Sequence, residues 1–350
     1  MTKRLVATSL LAAAAFTLSA CKSSTKTIPL QGAGSTFVYP VMQRWVQGFS
    51  QAHPNIQINY QSIGSGGGVQ QVKAGTVDFG ASDYPLKDEQ IAAMKPVIQF
   101  PESAGPVCIT YNLPEVTQPL QLSADVVAGI YLGEITSWQD KKIAADNPGV
   151  TLPKEPIVVI HRSDGSGTTA AFTTYLSAVS DDWKTKVGAG GSVSWPVGLG
   201  GKGSEGVTGQ LRQAPGAIGY VELTYAQQNN LPVAKIKNLA GNYVTPSTAS
   251  TTAAINAFSA QLAQDPRTPI VNAPAAAPDA YPISTLTFLI VPKDGAGKDK
   301  RAALKSFLQY IVTDGQAAAN DLNYAPLPDS VKQYDQQQLN LLTADGQALQ

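Results

Sequence analysis

The hydrophobic positions change period repeatedly along the chain. Ile56-Gln57-Ile58-Asn59-Tyr60 alternates apolar and polar, which predicts a half-buried strand. The unbroken run Ile157-Val158-Val159-Ile160 predicts a strand buried on both faces. Phe37, Val41, Trp45 and Phe49 recur every four residues, so 37–51 reads as an amphipathic helix. Pro40 falls in its first turn, where a missing N–H costs nothing. Leu304, Phe307, Leu308 and Ile311 predict a second helix, stopped at Gly315. Ser123 stands where it would cap a helix carrying Val126, Val127 and Ile130. Strand and helix patterns that alternate in this way predict α/β layering.

Two proline-bearing stretches interrupt the alternation. Phe100 to Pro106 leads into a strand-like run from Val107, and Tyr281-Pro282-Ile283 leads into Leu286 to Val291. A chain of 350 residues exceeds what one core usually serves. The two stretches therefore read as crossings between an outer domain and a middle domain of 106–282 inserted into it. The Ala- and Pro-rich segment 263–280 reads as a surface excursion, and the charged residues near the C-terminus as a solvated helical face.

The first twenty residues follow a different grammar. Lys3 and Arg4 precede the apolar run Leu5–Ala20, which ends in Leu18-Ser19-Ala20-Cys21. A basic start, a short apolar stretch and small residues before a cut describe a secretory signal peptide. Sixteen residues rich in Ala and Ser are too few for a comfortable membrane span. The terminal string resembles a bacterial lipobox, so residues 1–20 are expected to be removed and Cys21 to carry lipid. A polar tether over 21–30 would follow. This predicts a membrane-anchored lipoprotein on the periplasmic or cell-surface side. Cys108 then has no partner in the chain and reads as a small buried apolar side chain.

Composition narrows the function classes. With 43% hydrophobic and 14% charged residues, the chain as a whole is not disordered. Lys+Arg 25 against Asp+Glu 25 balances to zero, and losing Lys3 and Arg4 leaves 23 − 25 = −2. That excludes a nucleic-acid binder relying on a basic field. Two Cys cannot form a disulfide scaffold, and two His (His53 and His161) leave little room for a His-rich metal site. No metal and no cofactor is expected.

Three segments share one pattern: a strand-like run, a Gly/Ser/Thr turn, then a helix signal. They are Gly32-Ala33-Gly34-Ser35-Thr36-Phe37, Gly64-Ser65-Gly66-Gly67-Gly68 and Asp164-Gly165-Ser166-Gly167-Thr168-Thr169. A helix start leaves backbone N–H groups unpaired and carries partial positive charge, so such turns bind oxyanions without net positive charge. Each alone is simply a capped helix. Three in one chain, one closely preceded by Arg162, point to an anion site. Other motifs fail. Gly198-Leu199-Gly200-Gly201-Lys202-Gly203 fits the spacing of a dinucleotide fingerprint but lacks a clear preceding strand, and Gly203 stands where a P-loop needs Ser or Thr. No Gly-x-Ser-x-Gly elbow occurs.

At these same turns, from about Gln31 to Val331, the sequence closely resembles the phosphate-binding receptors of bacterial high-affinity phosphate ABC importers. The strings that carry the resemblance are Gly32 to Phe37, Tyr60 to Val69, Thr76 to Asp83, Asp164 to Thr168, Pro215 to Tyr220 and Ala325 to Val331. Val38-Tyr39 departs from the Pro-Ala more common in that family. The resemblance implies a type II periplasmic solute-binding protein, with two α/β lobes joined by two hinge strands. Lobe I would comprise 31–105 plus 283–350, and lobe II 106–282. It also implies the phosphate ligands: Thr36, Phe37, Ser65 and Asp83 from lobe I, and Arg162, Ser166, Gly167 and Thr168 from lobe II. Asp164 would hold Arg162 in place. The implied role is a receptor, not an enzyme. It would be a monomer that binds inorganic phosphate and delivers it to ABC permease subunits in the inner membrane. A receptor for sulfate or molybdate is the near alternative, and an exported phosphatase or phosphotransferase the distant one. The latter would need a nucleophile–base pair or a metal cluster.

Overall fold

The computed structural model describes residues 26–349, so the expected signal peptide and Cys21 lie outside the described residues. Eight strands form one mixed sheet: β1 (Ile28–Gly34), β2 (Ile56–Ser62), β3 (Phe79–Ser82), β4 (Val97–Tyr111), β5 (Val158–Arg162), β6 (Leu199–Gly201), β7 (Ala217–Glu222) and β8 (Ser284–Pro292). Their order is β2-β1-β3-β8-β4-β7-β5-β6. β1 runs parallel to β2, with Ile28 opposite Ile56 and Gly34 opposite Ser62, and parallel to β3. β5 is likewise parallel to β7 and β6.

The centre of the sheet is built by one long strand. The fifteen residues of β4 pair antiparallel with β8 over 97–106 and with β7 over 107–111. Phe100–Pro106, expected as a crossing segment, is therefore the interior of a continuous and almost wholly buried strand. Pro101 is tolerated there because the ladder is broken locally. Phe288 faces Pro101 and Thr287 faces Ser103, which leaves Glu102 bulged out of register. The bulge lets Glu102 accept a 2.6 Å hydrogen bond from the Thr287 hydroxyl.

The helices that bear on the site are α1 (Tyr39–Ala52), α2 (Ser65–Ala74), α3 (Ala124–Leu132), α4 (Gly167–Val179), α5 (Gly203–Gln213), α6 (Lys298–Val312), α7 (Gly315–Asp321) and α8 (Asp329–Leu339). α1 buries Val41, Trp45 and Phe49, the positions its periodicity singles out. Four details differ from the sequence reading. β1 starts at Ile28, whose N–H donates to the Asn55 carbonyl, so the tether expected to reach residue 30 ends earlier. Ser123 does precede α3, but its hydroxyl makes no capping bond; its N–H donates instead to Asp146. Gly315 opens α7 rather than stopping α6, which ends at Val312; it packs so closely that a Cβ there would lie 2.9 Å from the Trp45 ring. Finally, Asp335 on α8 is fully buried, and Ile270, Ala273 and Ala280 pack inside, so neither the C-terminal helix face nor 263–280 is merely solvated.

Candidate functional site

The Gly/Ser/Thr turns meet at one place. Residues 35–37 follow β1, Ser65 opens α2, Asp83 follows β3, and Ser166 to Thr168 open α4 just after Arg162 ends β5. Thr36, Phe37, Ser65, Asp83, Arg162, Ser166 and Thr168 are all buried. Direct polar contacts join Ser65, Asp83, Arg162 and Thr168, whereas the Thr36 hydroxyl meets Ser204 and Ser166 bonds to Thr169 and Gly191. Phe37 is fixed differently: its carbonyl accepts a 2.6 Å bond from the Tyr324 hydroxyl, and its ring meets Tyr324 edge-on at 6.0 Å.

Asp83 stands at the centre. It accepts from the hydroxyls of Ser35, Ser65 (3.4 Å) and Thr168 (3.3 Å). Ser65 in turn accepts the N–H groups of Asp83 (3.2 Å) and Gly167 (3.1 Å). Burial pushes the Asp83 carboxyl up to about 6, against the opposing pull of Ser35, Arg162, Thr168 and Ser65. It therefore remains chiefly a carboxylate at neutral pH, and two oxygens with about four lone-pair sites keep capacity for one more donor.

Arg162 is almost entirely buried, yet charged. Its Nε and one terminal nitrogen donate to the two Asp164 oxygens at 2.8 and 2.6 Å. The other terminal nitrogen lies 3.4 Å from the Thr168 hydroxyl. Burial opposes the charge, but the hydrogen bonds and charge of Asp164 more than reverse it and raise the guanidinium above its ordinary value. Asp164 is held below the usual carboxylate range by the same pair, despite its own burial. Such a bidentate pair fixes the planar fork while leaving donors free. Ser166 faces its own helix: its hydroxyl accepts the Thr169 N–H at 3.1 Å and caps α4.

Sequence reasoning missed several members. Ser35 lies inside the first turn, beside Thr36. Ser204 and Glu205 lie in the first turn of α5, straight after the glycine run weighed as a nucleotide fingerprint; that run spans Gly198, β6, Lys202 and Gly203, the first residue of α5. The Ser204 hydroxyl lies 2.9 Å from that of Thr36, and Gly203 N–H donates to Asp164 at 2.9 Å. Tyr220 and Tyr225 carry no local sign at all, although they bond to Arg162 N–H (3.1 Å) and the Thr36 carbonyl (2.8 Å). The His161 ring stacks on Trp195 at 4.8 Å, and its Nδ1 lies 3.0 Å from the Arg162 carbonyl, on the backbone side and away from the guanidinium contacts. Cys108 is buried, which pushes its thiol well above the ordinary range. No group of three or more His, Cys, Asp or Glu side chains able to hold a metal occurs among the described residues. No described helix is long and apolar enough to cross a membrane.

Residues 19–315 match the family model of the PBP superfamily domain. A phosphate-binding protein PstS of Xylella fastidiosa (strain Temecula1) is 44% identical over 313 residues, covering 89% of this chain and 85% of that one. A phosphate-binding protein PstS of Pasteurella multocida is 41% identical over 352 residues, covering 100% of this chain and 99% of its own. Among solved structures, a high-affinity periplasmic phosphate-binding protein (PfluDING) bound with phosphate superposes with a TM-score of 0.67 at 24% identity, over 88% of this chain and 92% of that one. A phosphate-bound substrate-binding protein from Clostridium perfringens gives 0.62 at 18% identity, over 86% and 100%. These likenesses show a type II periplasmic binding fold.

Proposed function

The chain belongs to the PstS phosphate-binding proteins of the PBP superfamily, and from that premise we propose how it performs the receptor role. It binds inorganic phosphate between two lobes, 31–105 plus 283–350 and 106–282, and hands it to the permease of an ABC importer. The ligand set is Thr36, Phe37, Ser65, Asp83, Arg162, Ser166, Gly167 and Thr168, with Asp164 orienting Arg162. The chain acts as a monomer and carries out no reaction. Cys21 bears a lipid that holds it to the membrane outside the cytoplasm, and loss of fatty-acid labelling in Cys21→Ser tests that anchor.

One observation carries the reading: a buried ring of donors surrounds a single acceptor. Arg162, three hydroxyls and the starts of α2 and α4 offer N–H and O–H groups. Only Asp83 offers a carboxylate at the centre of the site. A carboxylate beside an anion is repulsive unless the anion brings a proton. Phosphate near neutral pH carries at least one O–H and sulfate carries none, so the arrangement selects protonated tetrahedral anions. This disfavours the sulfate reading. Calorimetry of the chain without residues 1–20 is the test. Phosphate binds with one site, and a thousandfold excess of sulfate, a challenge of about 4 kcal/mol, fails to displace it. Asp83→Asn narrows the gap, because an amide can turn its NH₂ toward a bare oxygen. Ready displacement from the wild type would remove Asp83 from its role as selector. Turnover of a chromogenic phosphate ester would favour the phosphatase reading instead.

A further inference from the structure

Strands β1 and β6 are separated by five strands in the sheet order, yet the turns that follow them touch. Thr36, after β1, meets Ser204 at the start of α5, after β6. Two contacts join them: the Ser204 N–H donates to the Thr36 Oγ1 at 3.2 Å, and the two hydroxyl oxygens lie 2.9 Å apart. Both side chains are buried. The backbone around Thr36 is pinned as well, since Tyr225 Oη donates to its carbonyl at 2.8 Å and lies 2.9 Å from Glu205. Glu205 also accepts from Ser62 on β2, at 3.2 Å.

A threonine hydroxyl has one proton to give and two lone pairs to receive. The Ser204 N–H fills one lone pair. If the Ser204 hydroxyl donates as well, it fills the other, and the Thr36 proton has only the anion left to serve. We propose that Ser204 is a positioning residue for ligand binding. By donating twice to Thr36 Oγ1 across the cleft, it turns the Thr36 hydroxyl into an obligate donor, and does so only when the turns after β1 and β6 are together. The inference rests on the phosphate-receptor reading and deepens it. Closure and ligand recognition become one event, because the hydroxyl is free to rotate until α5 arrives. It also sharpens selectivity: with Thr36 unable to accept, Asp83 is left to receive the ligand's proton.

A double-mutant cycle measures this, with inorganic phosphate and calorimetry on the chain without residues 1–20. Ser204→Ala keeps the backbone N–H and removes the second donor; Thr36→Val removes the hydroxyl on which it acts. Ser204→Ala weakens phosphate binding about tenfold in the wild-type background and less than twofold in the Thr36→Val background, a coupling of about 1.4 kcal/mol. A merely structural role for Ser204 predicts the same loss in both backgrounds, and that result, or no loss in either, overturns the proposal. Should Ser204→Ala not fold, Ser204→Cys, whose thiol is a weak donor, takes its place in the cycle. A wild-type chain that binds no phosphate overturns the receptor reading and this inference with it. Wild-type binding without coupling overturns the inference alone.

Discussion

At the scale of single residues, the site depends on a buried charge that cannot be removed cheaply. Arg162 and Asp164 neutralise each other inside the protein, and Asp164 also accepts the Gly203 N–H. Arg162→Ala strands Asp164 as an uncompensated negative charge beside the expected anion. Truncating one partner of such a pair typically costs about 2–5 kcal/mol. Phosphate affinity is therefore expected to fall by more than about thirtyfold in Arg162→Ala, while the circular dichroism spectrum stays that of the wild type. Binding within about threefold of wild type, by calorimetry, would take Arg162 out of the site. Arg162 was legible in the sequence because it shortly precedes a Gly/Ser/Thr turn. Tyr225 was not, because a tyrosine hydroxyl reaching the Thr36 carbonyl from 189 residues away leaves no local trace.

At the scale of elements, helix starts place the donors, and α4 shows how tightly. Gly167 is the first residue of α4, and a Cβ there would lie 2.6 Å from the Asp83 Cβ. Alanine is a better helix former than glycine, so Gly167→Ala should leave α4 itself intact or firmer. The clash arises only when α4 and the turn after β3 come together. The expected outcome is an unchanged or slightly higher melting temperature without phosphate, and phosphate binding at least about tenfold weaker. Wild-type affinity in Gly167→Ala would mean that this approach is not needed for binding. The same scale explains the missed details. Ser123 has a good capping residue type, and Gly315 a good stopping type. Yet the Ser123 backbone is claimed by Asp146, and Gly315 by its close packing on Trp45. Ser123 still takes the N-cap position of α3 and lacks only the hydroxyl bond, whereas at Gly315 tertiary packing overrode local preference.

At the scale of the whole molecule, binding is expected to close the cleft. The proposed ligand residues lie on both sides of β4, and a ligand touching both sides favours the closed form by its differential affinity. Small-angle scattering should report a smaller radius of gyration with phosphate than without; superimposable curves would count against closure. A second whole-molecule property follows from buried acids. Burial raises Glu102 and Glu222 to about 8 and Asp335 to about 9. Neither Asp335 oxygen has a hydrogen-bond partner among the described residues. Each of these groups is protonated when folded but ionised when unfolded at pH 5–8, so the folded state binds more protons. The stability they contribute is complete below their unfolded values and is lost as pH rises through about 8–9. The slope is at most about 1.4 kcal/mol per pH unit for one group. Melting in phosphate-free buffer should thus weaken steadily from pH 5 to 9, and Asp335→Asn should make the decline shallower. An identical pH profile in the variant would show that Asp335 does not titrate with unfolding.

The sequence by itself determined the α/β class, the positions of the principal strands and helices, and the three turns that bear the donors. Each of these is written in local periodicity or in adjacent Gly, Ser and Thr residues. The anion-binding character was legible for the same reason, since a helix start carries its unpaired N–H groups wherever it is placed. Only the tertiary structure decided that Phe100–Pro106 is one strand shared by two halves of the sheet, because a bulge at Glu102 can be specified only by the partner strand. It alone brought Ser204 to Thr36 and gathered three hydroxyls onto Asp83. Those contacts join segments separated by as many as 168 residues, and pairing across such distances follows from how the sheet curls, not from any pattern along the chain.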